Sequence, residues 1–387
     1  MQITYKFRLY PNKQQENRLV WTLEKCRLVY NDMLEILRKQ NKPDKSAVQS
    51  ILPKLKEQYP ELKGVYSKTL QYECYKLFSN LKGLGQLKKK GRRVGKLRFK
   101  GKGWFKTFTY NQSGFKIIET KNRHDKLHLS KIGDIPIMIH REIEGSIKQI
   151  VVKRYCSGKW YASIITERDN NNPETSKITN IIGIDKGIKH FLSDSDGRQI
   201  ENPRFLKKGL KKLRRKQRKL SRTKKQSNNR NKARIKLATL HEQIRNQRLD
   251  FLHKLSCIYV DKYDMVAIEN LNIKGMVRNH RLARSISDVG WSTFDNMLSY
   301  KAENAGKIVV KVDPKGTSQE YNYGDIDRDY NASINILIRG IEKILPQGLR
   351  ENTPMEIEPL RKLEIVSASL VIEIGSPSLD IRQMSDA

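Results

Sequence analysis

Across 387 residues, 77 Lys and Arg stand against 41 Asp and Glu, a formal charge of +36. A field of that sign draws polyanions, phosphate backbones above all, because each neutralised phosphate releases condensed counterions. The length exceeds what one core usually serves, so two or three domains are expected; no apolar run nears the roughly 20 residues of a membrane span, and MQITYKFRLYP lacks the apolar stretch of a signal peptide, which points to a cytoplasmic protein.

Ile3 to Tyr10 alternates apolar and polar side chains and stops at Pro11-Asn12, the pattern of a strand closed by a turn. From Lys13 to about Lys39, Leu19, Leu23, Cys26, Val29, Tyr30, Met33, Leu34 and Leu37 recur at helical spacing. Two further helical stretches are expected around Ala47 to Gln58 and Ser67 to Leu84. Gln86 to Lys106 mixes Gly with Lys and Arg. Its glycines let backbone approach a polyanion, and Trp104, Phe105 and Phe108 offer stacking faces; the alternative is that the aromatics face a small barrel core. Nucleic-acid contacts are assigned here to Arg92, Arg93 and Trp104. The runs LHLS, IPIMIH, IKQIVVKRY and WYASIIT, broken at Gly133, Gly145 and Ser157-Gly158, predict a small β-barrel whose first strand is residues 1–10. The four cysteines, Cys26, Cys74, Cys156 and Cys257, form no CxxC pair and have no histidine at ligand spacing, so they are read as buried reduced thiols.

After the polar linker Arg168 to Lys177 the pattern turns α/β. Strands are expected at Ile181 to Ile184, Lys189 to Ser193 and Arg198 to Ile200, then a long basic helical region from about Pro203 to Val260. The strand Met265 to Ile268, a helix around Ser292 to Asn304, the strand Ile308 to Val312 and a last helix near Tyr330 follow. No acidic residue occurs between Glu201 and Glu242. Solvated helix faces normally mix signs, so this one-signed run marks Lys211, Arg214, Arg215, Arg218, Arg222 and Arg234 as phosphate contacts. Residues 341–387 carry little periodicity and are read as a tail.

Three acids stand where chemistry needs them. Asp185 ends IIGID, where Lys186-Gly187 is expected to turn and leave the carboxylate exposed at the sheet edge. Glu269 ends MVAIE. Asp329 opens a helix in DIDRDYNASINIL, where the helix dipole favours an acid, with Asp327 its nearest competitor. Converging carboxylates repel one another unless a divalent cation neutralises them, and Mg²⁺ prefers such oxygen ligands. Two ions about 3.5 to 4 Å apart serve phosphodiester hydrolysis. The order and context of the acids are those of an RNase H-like fold, with Asp185, Glu269 and Asp329 as catalytic and Mg²⁺-binding residues.

The segments IIGIDKGIKHFLSDSDG, VAIENLNIKGM, GWSTFDNMLSYKAE, VVKVDPKGTSQ and DRDYNASINIL, in this order, resemble the TnpB (OrfB) family of transposon-encoded proteins, relatives of type V CRISPR effectors. FRLYPNKQQ and the barrel segment HLSKIGDIPIMIHREIEGSIKQIVVKRYCSGKWYAS extend the resemblance to nearly the whole chain. It implies an RNA-guided DNA endonuclease with guide RNA and target DNA as partners, in which base pairing reads sequence while the protein grips backbones. The implied fold is multidomain α+β: a β-barrel (wedge) domain from residues 1–10 plus 91–170, an inserted helical recognition lobe at 11–90, and an RNase H-like (RuvC) α/β domain at 178–340. Asp185, Glu269 and Asp329 match its three RuvC motifs. Where the family usually carries two CxxC pairs that bind zinc, this chain has only EYNYGDI, with Tyr321 and Tyr323 near the expected cysteines, so zinc is not expected. That departure keeps a cleavage-impaired RNA-guided binder as the alternative; a transposase acting in DNA recombination is the third reading.

Overall fold

The computed structural model describes residues 2–120, 124–168, 178–317 and 327–344. The proposed linker, the shortened zinc-ribbon stretch and the tail fall largely or wholly outside these residues. The chain divides into two compact units, Met1–Asn170 and Asn171–Ala387.

The first unit opens with strand β1 (Gln2–Leu9), which buries Tyr5, Phe7 and Leu9 and turns the residues between them outward. Asn12 then starts helix α1 (Lys13–Lys39) with a reciprocal cap, its side chain accepting from Gln15 N while Gln15 Oε1 accepts from Asn12 N. Short helices α2 (Lys45–Gln49) and α3 (Leu52–Gln58) lead to α4 (Ser67–Lys89). That helix runs five residues beyond the expected Leu84, through Gly83 and Gly85, at neither of which would a Cβ meet anything within 4 Å. Six strands follow: β2 (Thr107–Asn111), β3 (Phe115–Ile118), β4 (Asp125–Leu129), β5 (Gly133–Met138), β6 (Ser146–Arg154) and β7 (Trp160–Glu167).

These strands and β1 make one antiparallel sheet in the order β2-β6-β7-β1-β5-β4-β3. Its two edge strands, β2 and β3, are consecutive in the chain, joined by the short turn Gln112–Gly114. Laid flat, seven strands at about 4.8 Å spacing would put the edges about 29 Å apart, while the chain from Asn111 to Phe115 spans at most about 14 Å. The sheet must therefore curl round until its edges approach. Its inner face and the buried stripes of α1 and α4 share one core that includes Phe105 and Phe108.

The second unit holds a five-stranded mixed sheet. Strands β8 (Ile181–Asp185), β9 (His190–Asp194) and β10 (Gln199–Glu201) form an antiparallel meander. Helices α5 (Phe205–Ser221) and α6 (Asn228–Lys262) replace the single helical region expected there. The break falls at Arg222 to Ser227, which has no apolar residue to continue a buried stripe; Gln226 takes a left-handed conformation and the Ser227 hydroxyl caps Arg230 N. Strand β11 (Met265–Glu269) then runs parallel to β8, followed by α7 (Ile273–Met276), α8 (Ala283–Val289) and α9 (Trp291–Asn304). The first two of these helices were not expected from periodicity. Strand β12 (Ile308–Val312), parallel to β11, completes the order β10-β9-β8-β11-β12, and α10 (Arg328–Ile344) packs on it.

Only Cys26 and Cys74 are buried. Cys156 and Cys257 are exposed, against expectation. Cys156 lies in the β6–β7 turn, and Cys257 follows the buried Ser256 on the outward side of α6.

Candidate active site

Strand pairing assembles the site. The parallel register matches Ile184 with Ile268, so the next residues, Asp185 and Glu269, end adjacent strands at the same level. Both belong to the α10 side of the sheet, because side chains alternate along a strand. Two residues before Asp185, a Cβ on Gly183 would stand 2.1 Å from Ser333 O of α10; two residues before Glu269, the Ala267 Cβ faces Gly340 of the same helix at 2.5 Å from an added Cβ. These two glycines let α10 lie directly on the sheet, and its first turn carries Asp329. Asp327, the competitor, is the helix cap: its Oδ1 accepts from Asp329 N at 2.9 Å and also from Gln199 Nε2 at 3.3 Å.

Asp185 feels the other two acids. Burial first, then the charges of Glu269 and Asp329, push the Asp185 carboxyl up to about 7. Asp185 is thus half-buried at the end of a central strand, not exposed at the sheet edge. Glu269, 7% exposed, is also raised by burial, with the Thr317 hydroxyl and Lys186 acting in the opposite direction. Among the described residues no three acid, histidine or cysteine side chains stand at metal-ligand spacing. The carboxylates are coupled without being closed around an ion. Chemically the donor set suits a hard divalent cation, being all carboxylate oxygen.

Sequence reasoning missed two supports. Lys186, expected only as part of the turn after Asp185, is 5% exposed. Its Nζ donates to Glu269 O at 2.9 Å and to both carboxylate oxygens of Asp295 on α9 at 3.0 Å. This buried pair ties β8, β11 and α9 together behind the acids. Thr317, 2% exposed, donates its hydroxyl to Glu269 Oε1 at 2.8 Å. Neither carried a local signal, since each partner lies tens of residues away.

The expected nucleic-acid contacts divide between the two units. Lys211, Arg214, Arg215 and Arg218 are exposed on α5, Arg222 ends that helix, and Arg234 is exposed on α6. Leu213, Leu237, Leu240 and Ile244 zip the two helices together beneath them. The α5 N-terminus is fixed by Asp288 of α8, which accepts from Leu206 N at 3.1 and 3.0 Å and pairs with Arg248 of α6 at 2.6 Å. In the first unit Arg92 and Arg93 are exposed and Trp104 is 78% exposed. Phe105 and Phe108 are buried in the core instead, Phe108 on the inward side of β2 and Phe105 just before that strand, so of the three aromatics only Trp104 is exposed. The segment before it is strapped to α1: Asn31 and Lys100 exchange hydrogen bonds at 2.8 and 3.1 Å, and Arg38 donates to Leu97 O at 2.6 Å.

A second surface went unread. On the outward face of β1 and β7, Lys6 lies 4.5 and 4.2 Å above the rings of Tyr155 and Tyr161, and Arg8 lies 5.1 and 5.5 Å above those of Tyr161 and Tyr10. The signal was present as the alternation Lys6, Arg8, Tyr10 on the polar side of a strand.

Family comparisons follow the same outline. The OrfB_IS605 model, described as "Probable transposase", matches residues 163–280; a helix-turn-helix model matches residues 1–45, and a Cas12f1-like TNB domain residues 291–324. Over residues 2–45 the chain forms strand β1, the 27-residue helix α1 and a turn that leads into α2 at Lys45. A Streptomyces pristinaespiralis protein provisionally named RNA-guided DNA endonuclease is 32% identical over 368 residues, covering 87% of this chain and 89% of its own. Another, InsQ of Escherichia coli K12, provisionally named in the same way, is 32% identical over 345 residues, 82% of each chain. The cryo-EM structure of a Cas12f1–sgRNA–target DNA complex covers 87% of this chain and 98% of its own at 14% identity, with a TM-score of 0.47, too loose a likeness to argue from. Among the described residues no helix is long and apolar enough to cross a membrane. The extent of these sequence matches shows that the chain belongs to the OrfB family of IS605-type proteins.

Proposed function

We propose that the chain is an RNA-guided DNA endonuclease whose catalytic acids are Asp185, Glu269 and Asp329. The carrying observation is that Asp185 and Glu269 end adjacent strands beneath α10, whose first turn carries Asp329, and that the charges of the other two acids, after burial, push Asp185 up to about 7. A chain that only binds has no use for three acids held against their own repulsion. The strand order β10-β9-β8-β11-β12, antiparallel then parallel, supports reading residues 178–340 as the RuvC-type, RNase H-like domain. The curled sheet supports a wedge domain from 1–10 plus 91–170, and α1 to α4 a recognition lobe at 11–90. The names of the two relatives support guide RNA and target DNA as the partners.

Asp185, Glu269 and Asp329 would hold Mg²⁺, two ions in the full site. When bound, such ions activate the attacking water and stabilise the leaving 3′ oxygen. The residues' own tasks are to present ionised oxygens at one place and keep them there. The Lys186–Asp295 pair fixes the backbone at Glu269, and α10 sets Asp329. Lys211, Arg214, Arg215 and Arg218 supply a cation-only helix face suited to a duplex backbone. Trp104 and the Lys6, Arg8, Tyr10 face add aromatic planes, which unstacked bases of single-stranded RNA require.

The test is to purify the protein with its co-expressed RNA, sequence that RNA, and present a matched DNA target with Mg²⁺. The expected outcome is cleavage that Asp185→Ala reduces by more than about 10³-fold, since a lost metal ligand removes several kcal/mol of transition-state stabilisation, with RNA retention unchanged. Equal cleavage by both proteins would refute the assignment.

A further inference from the structure

The acids do not hold themselves. A glutamate at a strand end has three side-chain torsions, and a carboxylate that must meet a cation at one angle needs a partner on its other side. For Glu269 that partner is the Thr317 hydroxyl, 2.8 Å from Oε1. The same hydroxyl stands 3.2 Å from Pro314 O. It has one proton, and the nearer, charged acceptor takes it.

Thr317 is delivered to Glu269 by a loop with two anchors. Beyond β12 the chain turns at Asp313, whose Oδ1 accepts from Lys315 N at 3.0 Å. Arg339 Nη1 donates to Asp313 O at 2.7 Å, at the start of the loop, and Asn335 Nδ2 donates to Thr317 O at 2.9 Å, at its end. Asn335 and Arg339 are four residues apart on α10 and so share one helix face. The first turn of that helix carries Asp329. One helix therefore contributes an acid directly and grips the loop that orients a second.

We infer that Thr317 is a positioning residue for Glu269, held by Asn335 and Arg339, so that α10 sets the geometry of Asp329 and Glu269 together. The inference rests on the active-site reading above and deepens it: a displacement of α10 disturbs two of the three acids, not one.

Isosteric Thr317→Val removes the hydroxyl and keeps the shape, whereas Thr317→Ser keeps the hydroxyl. Mn²⁺ binding to the purified protein, read from the electron spin resonance of free Mn²⁺, is compared with the Mg²⁺ dependence of guided cleavage. Loss of the hydrogen bond is expected to weaken Mn²⁺ binding and raise the Mg²⁺ requirement by about tenfold or more, with Thr317→Ser within about threefold of wild type. The saturated cleavage rate of Thr317→Val should recover most of its loss at high Mg²⁺. Unchanged Mn²⁺ binding in Thr317→Val overturns the inference. So does a Thr317→Ser protein as impaired as Thr317→Val, or a Thr317→Val protein that has lost its fold, since either makes the residue structural. Glu269→Gln separates the two levels: if it leaves Mn²⁺ binding intact, the active-site reading itself has failed.

Discussion

The two sheets of this molecule place their polar residues differently. In the first unit, β1 and β7 alternate buried and outward positions, so cations and aromatics spread over a wetted face. In the second, all five residues of β11 are buried, and its one acid stands at the end of the strand. A face offers area, many weak contacts and tolerance of change. A rim offers a few groups whose positions depend on everything packed around them. Binding suits the first arrangement and bond cleavage the second, and experiment can press on that contrast.

The rim should be the more fragile. Gly183→Ala sets a methyl against Ser333 O and must lift α10; guided cleavage is expected to fall by ~10²-fold, the usual cost of misplacing a reacting group by about 1 Å. RNA retention should persist, and loss of both would put the helix in a wider structural role. A smaller effect concerns protons. Because the Asp185 carboxyl is raised to about 7, its ionised form is disfavoured in the fold. Without metal, stability should therefore decline as pH rises from the ordinary aspartate range towards 7, the folded state holding a proton that the unfolded state has released. Cleavage at limiting Mg²⁺ should rise through a midpoint near 7, the position to which this carboxyl is pushed, and the midpoint should move lower as added Mg²⁺ competes with the proton. A midpoint indifferent to Mg²⁺ would break the link between the acids and the metal.

On the binding faces, effects should be graded. Replacing Lys211, Arg214, Arg215 and Arg218 by Gln should lower the salt-dependence slope of duplex binding by about 0.9 for each lost phosphate contact. Trp104→Ala, at a ring 78% exposed, should leave that slope alone and weaken single-stranded RNA by one stacking contact, about 1 kcal/mol or somewhat more. The reverse pattern would mean that the two surfaces exchange partners.

Much of this was legible in the chain because its signals are local. The apolar period over Lys13 to Lys39 predicts α1 to the residue, and IIGID and MVAIE each announce a buried strand ending in an acid. The burial of Lys186 has no local signal, since Lys before Gly shows no more than a turn. Asp295, 109 positions later, and the Glu269 carbonyl make it tolerable, and no short window contains them. Thr317 sat in a polar stretch indistinguishable from loop. Asp327 and Asp329 differ by two positions, and a cap and a site acid have the same local appearance until the helix amides show which carboxylate they point to. Phe105 and Phe108 fit stacking faces and core equally well by sequence; the register of β2 turns Phe108 to the core, and Phe105 is buried just before that strand.

Strand β1 lies between β7 and β5, with Gln2 opposite Glu167. During synthesis this central strand emerges before the other elements of its unit, and its main neighbour after them. At ribosomal speeds of about 5–20 residues per second, the strand waits on the order of ten seconds or more for its partner. Closing a contact so distant in sequence makes it a late and slow step of folding. The helices α1 to α4 are all complete before then. The first unit is thus expected to pass through a helical intermediate in which β1 is unpaired and its apolar side uncovered, the moment at which this unit is most open to aggregation.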